Sequence, residues 1–140
     1  MILVEIDQAI PGYGGKFLVG LTIFLACDAI WLRSATGNCC SIYPIDEMSR
    51  EQQEHTKRRT LPAVFLNGVV AAFITPIFVA DSPAEAASLG ALLGLFVFGT
   101  FNIVEYALWS KWTVRTGVAD TLYGITCYAV VLAMQQVVAS

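Results

Sequence analysis

Five polar side chains stand inside otherwise apolar runs: Asp28, Asn67, Asn102, Glu105 and Asp120. Three are carboxylates and two are amides. Such a set can share protons, bind a cation or receive a polar headgroup. It can also serve structure alone. The amides then hydrogen-bond the acids, Arg33, Lys111 or Arg115 reaches in to neutralise them, and Asp120 favours the start of the helix that carries it. The sequence leaves both readings open. On either, an ionisable group placed in hydrocarbon is costly and faces protein or a water-filled cavity.

Other chemistry has less support. Ser34, Ser41, Ser49, Ser82, Ser88, Ser110 and Ser140 lack the context of a nucleophile elbow. His55 is the single histidine and lies in a polar stretch, so a Ser–His or Cys–His pair would need it to fold back from a charged loop. Two carboxylates can do acid–base work, yet no arrangement of residues marks an enzyme, and none is expected. Cys27, Cys39, Cys40 and Cys127 form neither a Cys-x-x-Cys spacing nor a secreted disulfide framework, and free thiols are expected. No metal and no organic cofactor is expected. A net charge of -3 without a basic tail argues against nucleic acid.

These side chains must be positioned by membrane helices. Of 140 residues, 56% are hydrophobic and 14% charged, against about a quarter charged in soluble domains. Mean hydropathy is +0.66. The apolar residues fall in four blocks, about 16–32, 61–79, 84–108 and 118–139. Each is near the roughly 20 residues that cross about 30 Å of hydrocarbon as a helix. The expected fold is all-α: an integral membrane four-helix bundle. A leader covers residues 1–15, and one polar loop covers 33–60, within which Asp46–Arg59 has the composition of a short surface helix.

Punctuation supports these bounds. Ser82 reads as an N-cap, Pro83 as the first helical residue and Glu85 as the third, a capping box. Thr60-Leu61-Pro62 starts the second helix in the same way. Gly37 and Asn38 end the first, and Thr116-Gly117 separates the third from the fourth.

Orientation follows from charge. Arg33, Arg50, Lys57, Arg58, Arg59, Lys111 and Arg115 lie on one side and Lys16 on the other, seven of eight basic residues together. Loops 33–60 and 109–117 are therefore expected in the cytoplasm, and both termini on the opposite side. Trp31, Trp109 and Trp112 fall at the cytoplasmic boundary, where indoles anchor at headgroups. All five polar residues then lie in the cytoplasmic half, within about 10 Å of one another in depth. Asp120, Tyr123, Gly124, Cys127 and Tyr128 form one inward stripe, and Gly90, Gly94, Phe98, Phe101 and Glu105 another. Gly90, Gly94 and Gly124 are expected to let helices pack closely.

Two segments carry a family likeness. The first is Phe24-Leu-Ala-Cys-Asp28-Ala-Ile-Trp31-Leu. The second is Phe98-Gly-Thr-Phe-Asn102-Ile-Val-Glu105-Tyr-Ala-Leu-Trp-Ser-Lys111-Trp112, followed by Asp120-Thr-Leu-Tyr-Gly124. Together they resemble the DUF2177 family of small polytopic membrane proteins. Its members show Asp-x-Ile-Trp-Leu, then Tyr-Gly-Thr-Tyr-Asp-Leu-Thr-Asn-x-Ala-Thr-Leu-x-x-Trp, then an Asp with Trp-Gly shortly after. The likeness covers about residues 20–132. Here Asn102 and Glu105 exchange the family's acid and amide, and Tyr123 replaces a Trp. The resemblance implies four membrane helices and marks Asp28, Asn102, Glu105 and Asp120. It implies no activity.

Two functions are expected from this reading. One is a structural or assembly component that anchors protein partners to a bilayer through loop 33–60 and the leader; the resemblance, whose members also occur in large DNA viruses, makes a virion membrane one setting. The other is binding or proton- or cation-coupled transport of a small ligand at the carboxylates. Four helices are few for a monomeric transporter, so transport predicts a homodimer, through Gly90 and Gly94.

Overall fold

Backbone groups in hydrocarbon find no water, so an apolar run closes its hydrogen bonds within itself and forms a helix. The computed structural model of the chain describes residues 12–35 and 50–139. It contains α1 (Tyr13–Ala35), α2 (Arg50–Ile74), a short 3-10 turn (Thr75–Ile77), α3 (Pro83–Leu108) and α4 (Val114–Ala139), with no strand among the described residues. The leader up to residue 11 and loop residues 36–49, with Gly37, Asn38, Cys39 and Cys40, lie outside the described part. Gly12 begins α1. Its φ of 74° lies in the left-handed region that glycine tolerates, and its carbonyl accepts from Lys16 N at 2.9 Å.

Three helical stretches are long and apolar enough to cross a membrane: Tyr13–Arg33, Pro83–Leu108 and Val114–Val138. The second expected span differs. Its apolar part, Val64–Ile77, is shorter, about 20 Å at 1.5 Å per residue. The helix does not start at Thr60 or Leu61. It begins at Arg50 and runs through Pro62. That proline has no N–H to give, but the apolar part of α2 packs on α1 and holds the helix across the missing bond. Residues 50–60, read from sequence as part of the loop, thus belong to α2.

The α3 start follows its sequence. Ser82 is extended (φ -148°, ψ 157°) and caps the helix. Its Oγ accepts from Glu85 N at 3.2 Å, and Glu85 Oε2 accepts from Asp81 N at 2.9 Å.

Packing follows the small residues. In α3 the buried stripe is Ala86, Gly90, Gly94 and Asn102. A Cβ on Gly90 would meet the backbone carbonyl of Tyr128, and one on Gly94 that of Gly124. A Cβ on Gly124 would run into the Phe98 ring. The α3–α4 hairpin is accordingly the most extensive interface, followed by α1 on α4 and α2 on α1. This corrects the dimer contact expected at Gly90 and Gly94, because α4 of the same chain already occupies that face.

The four helices form a row: α2, α1, α4, α3. Among the described residues no extensive contact joins α2 to α3, and the bundle is open between them there. Phe24, Ala72, Tyr128, Val131 and Leu132 centre the core. Outward faces are apolar, with Leu108 80%, Ile103 72% and Phe96 69% exposed. Apolar surface on this scale suits a bilayer, not water.

Candidate functional site

The site lies at the tryptophan end of the bundle. On α1, the buried positions Lys16, Gly20, Phe24 and Asp28 recur every four residues, which carries Asp28 into the same inner face as Phe24. On α4, Thr116, Asp120 and Gly124 repeat the pattern. Asp28 and Asp120 are 8% and 3% exposed.

Asp120 is held on both oxygens. Trp31 Nε1 donates to Oδ1 at 3.1 Å, and Asn102 Nδ2 donates to Oδ2 at 3.0 Å. Asn102 Nδ2 also contacts Phe98 O at 2.8 Å and Thr121 Oγ1 at 3.3 Å. Its Oδ1 accepts from Trp112 Nε1 at 3.1 Å. One chain of hydrogen bonds therefore joins the α3–α4 connection, α3, α4 and α1.

Asp28 differs. Tyr123 OH donates to its Oδ1. Its Oδ2 is buried and has no partner among the described residues. Buried polar atoms are paired in the large majority of cases, so such an exception calls for a physical reason. The Tyr123 ring is fixed from two sides. Trp31 stacks on it (centroids 4.7 Å, 8° between planes) and Phe98 meets it edge-on at 5.7 Å.

Above these groups lies a cleft of about 340 Å³ to which every helix contributes. Asp28, Asp120 and Tyr123 lie at its base, with Trp31 and Leu32 beside them. Val64 and Asn67 of α2 form one wall; Val97, Phe98 and Phe101 of α3 form the other. None of the described lining residues is basic. Arg33 and Arg115, two of the bases expected to reach inward, are exposed.

The five polar residues singled out from sequence thus separate. Asp28, Asn102 and Asp120 meet in one buried group. Asn67 lines the cleft wall but is exposed. Glu105 lies outside both the hydrogen-bonded group and the cleft lining. Glu105 is half-buried one turn beyond Phe101.

Trp112 is 7% exposed and donates to Asn102, so it packs inside the bundle. Trp31 is half-buried over Tyr123. Trp109 is half-buried against Trp112, with ring centroids 5.4 Å apart.

A second polar contact, unforeseen from sequence, sits at the other end. Gln135 Nε2 donates to Lys16 O at 2.8 Å and Thr75 Oγ1 at 2.9 Å, and Tyr13 OH donates to Phe73 O at 2.6 Å. Lys16 is 8% exposed. The available signal was Gln135 continuing the α4 stripe of 120, 124, 128 and 131. Among the described residues no group of three or more His, Cys, Asp or Glu is placed to hold a metal ion.

No curated protein and no solved structure matches the chain. One family model, described as a predicted membrane protein family, matches residues 13–137. That match spans all four helices and every residue of the cleft, and on it the chain belongs to the DUF2177 family.

Proposed function

We propose that this multi-pass membrane protein binds a small cationic or hydrogen-bond-donating ligand at Asp28. The observation that carries the reading is the contrast between two buried acids. Asp120 has donors on both oxygens and holds α1, α3 and α4 in register. Asp28, at the base of the cleft, has one oxygen without a donor. A ligand that supplies the missing donor recovers the desolvation cost of that atom. The reading is of a binding protein and not of an enzyme. Carriage of a proton or cation across the membrane is its extension, to be read as pH-dependent flux in proteoliposomes.

Orientation enters this proposal from charge. The cleft end, with Arg33, Lys111 and Arg115, faces the cytoplasm, and both termini face the other side.

Asp28→Asn tests the site. Asparagine keeps an acceptor for Tyr123 OH and removes the charge. Thermal unfolding of the purified protein is measured with and without propylammonium. The wild type should gain stability with ligand, as any protein does whose folded state alone binds it. Asp28→Asn should unfold at a similar temperature without ligand and show no gain. A wild type indifferent to propylammonium and to inorganic cations would sink the proposal.

A second reading keeps the anchoring role. It is supported by the polar extension of α2 over residues 50–60, which carries Lys57, Arg58 and Arg59 past the apolar part. Replacing 33–60 with a neutral linker of equal length should abolish recovery of a stoichiometric protein partner in a pull-down.

A further inference from the structure

We propose that the ligand is an amphiphile with an ammonium head, which enters from the bilayer through the gap between α2 and α3. Its head lies at Asp28 and its chain stays among the lipids. This rests on the reading of Asp28 as a ligand site and adds the ligand's class and its route.

Three observations carry it. The first is the gap. The cleft walls come from α2 and α3, which among the described residues make no extensive contact with each other. The mouth is therefore a flank of the bundle. The walls at it are mostly apolar, Val64 on α2 and Val97, Phe98 and Phe101 on α3, with Val97 38% and Phe101 50% exposed. A ligand coming through that flank crosses hydrocarbon, which a small hydrated cation does not readily do and an amphiphile does.

The second is depth. Asp28 lies five residues before Arg33, the end of the α1 span, about 7.5 Å along the axis. A head bound there sits just below the headgroup level. Its chain can then leave sideways without reversing direction in the bilayer.

The third is charge. Two carboxylates, those of Asp28 and Asp120, lie at the base of the cleft, and among the described residues no basic one lines it. One Asp28 oxygen already accepts from Tyr123, while the other has no donor. An ammonium head supplies both the missing donor and a positive charge. An anionic head would meet like charge.

The test uses the full-length protein in nanodiscs and a dodecylammonium probe with a photoreactive diazirine on its chain, mapped by peptide mass spectrometry. Crosslinks should concentrate on the α2 segment around Val64–Asn67 and the α3 segment around Val97–Phe101. Labelling should fall roughly tenfold or more in Asp28→Asn, as expected for loss of a charged hydrogen bond. The same chain ended in a methyl ester, which has no donor, should label weakly. Val97→Trp, at a half-exposed position of the wall, should close the mouth to dodecylammonium. Should Asp28→Asn fail to fold, Val97→Trp decides. Crosslinks spread evenly over the lipid-facing surface, equal labelling by the ester, or labelling unchanged by Val97→Trp would each overturn the inference. Binding of propylammonium without dodecylammonium would overturn the bilayer route and leave Asp28 as a ligand site. Binding of neither would overturn both.

Discussion

Asp28 and Asp120 have the same chemistry and opposite situations. Asp120 accepts one indole and one amide donor. Asp120→Ala should remove the acceptor that Trp31 Nε1 uses and one of three acceptors of Asn102 Nδ2, at a cost of about 1–3 kcal/mol. The expected result is a clear fall in the thermal unfolding temperature in mild detergent. Asp28→Asn should fall much less, because Tyr123 keeps its acceptor. Equal losses would mean that both acids serve structure. The sequence marked both residues, since a carboxylate in an apolar run is visible without coordinates. It did not show which acid was satisfied. That depends on whether an indole N–H from α1 lands on one side chain of α4 or on a neighbour, and no spacing within a single helix encodes it.

At the scale of elements, glycine placement was legible and its partner was not. Gly90 and Gly94 open one face of α3 by their spacing alone. The structure puts the α4 backbone against that face, at Tyr128 and Gly124. Gly94→Leu should therefore separate α3 from α4 within the monomer, destabilising it by about 1–3 kcal/mol or more. Unfolding should shift while the mass of the detergent-solubilised particle stays the same. A change in mass would instead point to a contact between copies. The Ser82–Glu85 cap was also readable, because capping depends on residues three apart. The start of α2 was not. Pro62 and the charges before it argue for a break on local grounds, and packing of the apolar half on α1 overrides them.

For the molecule as a whole, composition was enough to indicate a helical membrane protein, and the open row was beyond it. Nothing in the sequence says that α2 leans on α1 alone among the long helices. The charge count does make a prediction about sides. In a cysteine-free background, Ser110→Cys in the α3–α4 connection should react with a membrane-impermeant maleimide only from the cytoplasmic face. Asp81→Cys, before α3, should react only from the opposite face. Both residues are exposed. The reverse pattern would invert the protein and place the cleft at the other surface.

The hydrogen bonds at Asp28 and Trp31 also span long stretches of chain. Tyr123 is 95 residues after Asp28, and Asp120 is 89 after Trp31. During synthesis α1 enters the bilayer first, yet the partners of its acid and its indole arrive with the last helix. Until then α1 carries an unsatisfied carboxylate in hydrocarbon, a costly state. The C-terminal helix thus acts as a completion signal for the N-terminal one. A chain ending before Val114 should hold α1 only loosely in the membrane and be cleared quickly, as pulse-chase measurement would show. Supplying α4 as a separate polypeptide should lengthen the fragment's lifetime.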